Sequence, residues 1–199
     1  VPLLDEAEAI DLAITSINRM QNLVDDLLHL EQIQSGVSTA MKRVDVADLL
    51  ERAMLEAQPM IRHKAQNLQL EVARDLPEID GDPRWLSRAL VNLLGNATKY
   101  TPEGGKIVLR AWYDSEAREV LMEVEDNGMG IPSASQKRIY ESFYRDPKVR
   151  DTIAGTGLGL SIVKSVVDQH NGRLYLSSEE GQGSLFGIGL PAATGNAPE

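Results

Sequence analysis

From Asp5 to Gln34 the chain contains neither Gly nor Pro, so nothing in the backbone chemistry interrupts a helix there. Ile10, Ile17 and Val24 recur every seven residues, and Ala13, Met20 and Leu27 form a second row at the same spacing. That is a heptad stripe over about three heptads. Ile14, Leu23, Leu28 and Ile33 make the stripe wider than a two-stranded seam requires. A long helix with such a face belongs in a four-helix bundle or packs as a single amphipathic helix on its own domain. Ser35-Gly36 supplies the stop.

The rest of the chain, from about Lys42, mixes helix and strand. Val46 to Arg62 carries a helical pattern, and Leu68, Leu70 and Val72 alternate along a strand from Asn67 to Ala73. Asp82-Pro83 pairs a capping carboxylate with proline at the first helical position, which opens a helix running towards Tyr100. Lys106 to Asp114 and Glu119 to Glu125 read as a hairpin, and Ser133 to Ser142 as a short helix. Arg145 to Thr156 is polar and irregular, and Gly157 to His170 is helical. Gly172 to Ser178 and Ser184 to Leu190 are the last strands, and Ala192 to Glu199 reads as a frayed tail. Strands and helices do not alternate strictly. The fold class expected is therefore α+β, a two-layer sandwich with a mixed sheet and helices on one face, preceded by the long helix.

Composition removes several functions. The net charge of −10 argues against non-specific nucleic-acid binding and against a polybasic membrane anchor. Cys is 0, which excludes disulfides, thiolate metal sites and a cysteine nucleophile, and fits a reducing compartment. No apolar run approaches the ~20 residues of a membrane span, and no secretory signal opens the chain. The chain starts at Val1, which suggests a fragment of a longer protein.

Four segments carry candidate chemistry. Period 2 along the strand puts Val120, Met122, Val124 and Asp126 on one face, so a carboxylate ends an apolar row. It needs a donor, either a protein group or a ligand amino group. Gly128 and Gly130 follow, where backbone can approach a flat ligand closely. Gly155-Thr156-Gly157-Leu158-Gly159 precedes a helix, and helix N-termini offer free N–H groups that suit phosphate. The spacing is neither a Rossmann fingerprint nor a P-loop. On the helix before Tyr100, Asn92 and Asn96 lie four apart with Lys99 three further on, a polar stripe that either faces solvent or serves a ligand. One amide oxygen with phosphates and waters is compatible with Mg²⁺. Gly181-Gln182-Gly183 is the last glycine segment.

Taken together, the order and wording of these segments resemble the nucleotide-binding domain of sensor histidine kinases, within the wider gyrase, Hsp90, MutL and histidine kinase ATPase superfamily. Asn92–Tyr100 looks like the N box and Asp126–Gly130 the G1 box. Glu141-Ser142-Phe143-Tyr144-Arg145 resembles the F box, and Gly155–Gly159 the G2 box. The resemblance covers roughly residues 42–191. Residues 1–36, with Val24-Asp25-Asp26-Leu27-Leu28, look like the second helix of the family's dimerisation and phosphoacceptor hairpin, and 192–199 remain as a tail.

The resemblance implies roles. Asn96 looks like the Mg²⁺ ligand, and Asp126 is similar to the aspartate that receives the adenine amino group of ATP. Gly128 and Gly130 would line the base pocket. Asn92, Lys99 and Tyr100 match positions near the phosphates, and Arg145 matches a basic position that reaches the γ-phosphate. Gly155, Thr156, Gly157, Leu158 and Gly159 lie where the family's lid folds, with residues 146–156 as that lid. The implied reaction is transfer of the γ-phosphate to a histidine, for relay to the aspartate of a response-regulator receiver domain. Homodimerisation through hairpin helices and a cytoplasmic location are implied too, free or as part of a membrane-bound sensor, with no membrane contact by this stretch. The family's acceptor His is followed by an acidic residue, whereas His29, His63 and His170 are followed by Leu30, Lys64 and Asn171. The acceptor and the first hairpin helix are therefore expected outside this sequence, with His29 and His63 structural or surface residues and His170 a cation at a helix end. Two alternatives remain: an ATP-binding regulatory module without transfer, and a gyrase- or Hsp90-like ATPase. The latter calls for a glutamate one turn before Asn96, where Asn92 stands.

Overall fold

The computed structural model describes residues 6–34, 40–150 and 152–193. Helix α1 (Glu6–Gln34) comes first; its expected stop at Ser35-Gly36 lies outside the described residues. There follow β1 (Lys42–Val44), α2 (Val46–His63), β2 (Asn67–Val72), β3 (Ile79–Gly81), α3 (Pro83–Tyr100), β4 (Lys106–Asp114) and β5 (Glu119–Asp126). The chain ends with α4 (Ser133–Gln136), α5 (Gly159–Gln169), β6 (Arg173–Glu179) and β7 (Gly183–Pro191).

Five strands form one mixed sheet in the order β2-β4-β5-β7-β6, with β2 parallel to β4 and the other pairs antiparallel. Register explains the layering. Leu109 pairs with Val124 and Val124 with Phe186; Ala111 pairs with Met122 and Met122 with Ile188. These side chains share one face and join a buried core with Leu50, Ala53, Leu90, Leu93, Leu94, Ile162 and Val166 of α2, α3 and α5. The fold is the expected two-layer sandwich. The opposite face is closed by charge: Arg110 reaches Glu71, Glu123 and Glu125, and the Tyr175 hydroxyl donates to Glu123 at 2.9 Å. Burial beside these carboxylates pushes the Tyr175 phenol well above its ordinary range.

Several boundaries differ from expectation for physical reasons. A short second sheet, β1 antiparallel to β3, has three residues per strand, too few to show a period. The helix expected over Ser133 to Ser142 ends at Gln136. Its continuation is a series of separate turns, and Phe143 takes a left-handed conformation (φ +65) that no helix accommodates. Helix α5 starts at Gly159 rather than Gly157, because Gly157 has φ +78 and its carbonyl accepts the Phe143 N–H at 2.9 Å. The tail begins later than Ala192: Ala192 bridges to Ile79, and Ala193 is buried with its N–H donating to the Glu78 carbonyl at 2.8 Å.

His170 also differs. It is buried, and its Nε2 accepts the Asp82 backbone N–H at 3.0 Å. The ring proton therefore sits on Nδ1, which donates to the Val166 carbonyl at 2.7 Å. Burial lowers its pKa, so it is a neutral strut rather than a cation at a helix end. The strut joins α5 to the start of α3, where Asp82 caps the helix through the Arg84 N–H. The Arg84 guanidinium, 2.8 Å from the capping carboxylate, holds its pKa down against burial.

Candidate functional site

The helix-covered face of the sheet ends in a polar row. Ile107 pairs with Asp126, Asp126 with Ser184, and Ser184 with Ser178, so the two residues after Val124 and before Phe186 carry oxygen where the core carried carbon. Asp126 is 8% exposed. Its Oδ1 accepts the Gly128 N–H at 2.8 Å. Burial raises its pKa, and that N–H opposes the rise.

A cavity of about 590 Å³ opens over this row, between the sheet end, α3 and α5. At the sheet end it is lined by Asp126, Met129, Gly130, Ile131 and Phe186, a mostly apolar slot with one carboxylate. Two glycines let the loop beside the slot pack tightly against neighbouring backbone. A Cβ on Gly128 would sit 2.5 Å from the Tyr100 carbonyl oxygen, and on Gly130 (φ +66) 1.9 Å from the Glu179 carbonyl oxygen. The loop is stitched down by Met129 N–H to the Tyr100 carbonyl, and by Ile131 N–H to the Ser178 hydroxyl.

At its other end the cavity is polar. Asn92, Asn96, Lys99 and Tyr100 of α3 line it, facing Gly155, Thr156, Gly157 and Gly159. The stripe seen in sequence thus faces a cavity rather than open solvent. The Asn92 amide nitrogen is buried without a partner, 3.4 Å separating its oxygen from where a Gly159 Cβ would be. Lys99 is exposed at the cavity rim, but loss of water around its ammonium pushes its pKa below the lysine range. Arg145 adds to this shift and Asp26 opposes it. Burial raises the Tyr100 phenol pKa. Leu158 is wholly buried in the core behind the cavity.

Asp146, Lys148, Val149 and Ala154, from the segment before the glycines, also line the cavity. Val149 is 8% exposed, which anchors the segment more firmly than its polar composition suggests, and Lys148 pairs with Glu180 at 2.5 Å with both side chains exposed. Asp146 accepts from the Ser135 hydroxyl, which holds its pKa down. Arg145 lines the cavity, but its guanidinium donates to the Ile153 and Val149 carbonyls of that segment.

Sequence reasoning missed Ser184, Asp26 and Arg88 on the cavity wall. Ser184 had a signal: Ser184, Phe186, Ile188 and Leu190 alternate as Asp126 and its row do. Asp26 had none, since it lies 130 residues from Thr156, whose hydroxyl it accepts.

Among the described residues no helix is long and apolar enough to cross a membrane, and no group of three or more His, Asp or Glu side chains could hold a metal ion.

The chain is 34% identical over 195 residues to drug sensory protein A of Synechocystis, covering 94% of this chain and 29% of that protein. It is 35% identical over 187 residues to the alginate biosynthesis sensor protein KinB of Pseudomonas aeruginosa, covering 94% and 31%. It thus spans about a third of the length of these relatives. Among solved structures, full-length ShkA in complex with AMPPNP superposes with a TM-score of 0.81 at 29% identity, covering 100% of this chain and 42% of that one. The mycobacterial sensor histidine kinase MprB superposes with a TM-score of 0.67 at 28% identity, covering 77% and 98%. Residues 81–194 match the family described as histidine kinase-, DNA gyrase B- and HSP90-like ATPase, and that span runs from the cap of α3 to the docked end of β7. The chain therefore belongs to that ATPase family, on its histidine kinase branch.

Proposed function

We propose that this chain is the ATP-binding catalytic portion of a sensor histidine kinase. It transfers the γ-phosphate of ATP to a histidine outside this sequence, for relay to a receiver-domain aspartate. The observation that carries this reading is Asp126. A carboxylate 8% exposed stands at the floor of an apolar slot, beside a loop whose two glycines let it pack directly on the Tyr100 and Glu179 carbonyls. Beyond the Gly128 N–H that it already accepts, the carboxylate has acceptor capacity for a planar ligand's donor, and the adenine amino group fits.

The residues present fit the nucleotide and its metal. The unpartnered Asn92 amide is a donor on a residue that lines the polar end of the cavity, where phosphate oxygens would lie. Lys99 adds a cation, and the glycine segment with the α5 N-terminus adds backbone N–H groups. With no carboxylate cluster among the described residues, Mg²⁺ would be held by the Asn96 amide oxygen together with phosphates and water, and would supply neutralisation of phosphate charge. Tyr100 would flank the base and phosphates. Arg145 would stabilise charge on the transferred phosphoryl after exchanging its present carbonyl partners for phosphate oxygens. Catalysis is then positioning plus electrostatic stabilisation. The bond from the γ-phosphorus to the bridging oxygen breaks, a bond to the acceptor imidazole nitrogen forms, and ADP leaves. Helix α1 would be the second helix of a dimerisation hairpin that assembles with a second copy.

His170 is buried in the core with both ring nitrogens engaged, so it is not placed to accept phosphate. Titration calorimetry should show Mg²⁺-ATP and ADP binding, with GTP clearly weaker, because guanine presents an acceptor where adenine presents a donor. Equal affinity for ATP and GTP sinks the Asp126 assignment. Mass spectrometry under alkaline conditions should find no phosphohistidine on this chain after incubation with Mg²⁺-ATP. Stoichiometric phosphate on His29 would overturn the external acceptor.

A further inference from the structure

One carboxylate on the cavity wall does not come from the ATPase layers. Asp26 lies on α1, is 8% exposed, and divides its oxygens between two elements. Oδ1 takes the Arg88 guanidinium of α3 at 2.9 Å, and Oδ2 takes the Thr156 hydroxyl of the glycine segment at 3.0 Å. Thr156 in turn accepts the Leu158 N–H at 3.2 Å, just before α5 begins. Arg88 sits one turn before Asn92, and its Nε is buried without a partner. Lys99 feels the same carboxylate, which favours its charged form. So a single anion, carried by the helix outside the sandwich, holds two donors on the cavity wall, Arg88 and Thr156, and attracts Lys99.

A terminal phosphate placed there would find a carboxylate already holding Arg88 and Thr156, and would be repelled by it. We infer that Asp26 is a phosphate-mimicking anchor: docking of α1 through Asp26 and binding of a nucleotide's terminal phosphate are antagonistic. The inference rests on the nucleotide reading of the cavity and adds a regulatory residue to it. Linkage makes the antagonism reciprocal. Release of α1 tightens binding of a triphosphate, and a bound triphosphate loosens α1. A diphosphate lacks the group that competes and should report neither effect.

Two measurements test this. In the first, calorimetry compares AMPPNP and ADP, each with Mg²⁺, on the wild-type chain and on Asp26→Asn, which keeps the side-chain shape. The expected result is AMPPNP binding tighter by about fivefold or more, with ADP changed less than about twofold. An unchanged or weaker AMPPNP affinity, or equal tightening for both nucleotides, overturns the proposal. In the second, the chain's lack of cysteine allows two clean spin labels, at the exposed Gln21→Cys on α1 and Lys164→Cys on α5, with Asp26 left intact. AMPPNP should lengthen or broaden the distance between them and ADP should not. An unaltered distance with AMPPNP bound overturns it, whatever the first variant does. If the wild-type chain binds neither nucleotide, the nucleotide reading itself fails. If it binds both without the difference, only the role of Asp26 falls.

Discussion

Burial moves Asp126 and His170 in opposite directions, because it penalises whichever form is charged. Asp126 gains proton affinity, so its capacity to accept from a ligand amino group should fade at a higher pH than for an exposed aspartate. Adenine-nucleotide affinity should therefore fall on acidification from neutral pH. Asp126→Asn should weaken ATP by roughly tenfold or more, in line with the ~1.5–3 kcal/mol of a hydrogen bond to a charged group. Calorimetry across pH on both proteins checks the pair; an Asp126→Asn protein with wild-type affinity and pH profile would contradict it. For His170 the sign is as follows. The folded pKa lies below the ordinary 6.5, so the neutral form is the native one. The contribution is complete above about pH 6.5 and is lost as pH falls towards the folded value. A proton on Nε2 would set two donors against each other at the Asp82 N–H. His170→Leu should cost about 1–3 kcal/mol by leaving that N–H without an acceptor, and should flatten the stability profile below about pH 6.5. Denaturant midpoints across pH read both effects. Asp126 was legible in sequence, since alternation alone puts it at the end of an apolar row. His170 was not, because its partner Asp82 lies 88 residues away and nothing local marks a buried ring.

At the scale of elements, α2, α3 and the β4–β5 hairpin were visible to within a residue or so, because their periods are long and α3 announces its cap. The short β1 and β3 and the true start of α5 were not. They depend on partners far along the chain and on one left-handed glycine, which local pattern does not encode. The same glycines make sharp predictions. Gly130→Ala and Gly157→Ala each place a Cβ within 3 Å of backbone at a positive φ, at Glu179 and Phe143 respectively. Each should lose roughly 1–3 kcal/mol from backbone strain alone, with further loss from the clash. Gly181→Ala, where φ is also positive but nothing stands within 4 Å, should be milder. Thermal denaturation ranks the three, and a Gly130→Ala protein as stable as Gly181→Ala would contradict the close approach. For residues 146–156, the Lys148–Glu180 pair is exposed on both sides and such pairs hold weakly. Trypsin should still cleave early at Lys148, and Mg²⁺-AMPPNP should slow it. Equal protection with and without nucleotide would show a segment that does not respond to the cavity.

Over the whole molecule, α1 presents Asp26 and Leu23 to the sandwich and turns the heptad rows outwards. Ile10, Ile17 and Val24 are 58%, 50% and 55% exposed, and Ile14, Met20 and Leu27 stand beside them. A contiguous apolar stripe of this kind marks an association surface. The chain should self-associate through it, and Ile17→Glu with Val24→Glu should shift it towards monomer in sedimentation velocity. A concentration-independent monomer for the unaltered chain would contradict this. The stripe was legible because heptads are a one-dimensional signal. Which edge of the helix meets the sandwich was not, because that choice is made by Arg88 and Thr156, both remote in sequence.

The hydrogen bond from Phe143 N–H to the Gly157 carbonyl joins the two feet of everything between them. A segment whose ends are pinned by the rest of the fold is, in polymer terms, a closed loop. Lengthening such a loop costs only about 0.6 kcal/mol per doubling. The cavity's floor is built outside the loop, by β5, α3 and α5, so it does not register the loop's length, although loop residues such as Arg145, Gly155 and Thr156 line the walls. Chains of this architecture are thus free to vary the size and sequence of the cover while keeping the same floor. Inserting a Gly/Ser stretch between Pro147 and Ala154 should leave the melting temperature nearly unchanged, even where it alters how long a ligand stays.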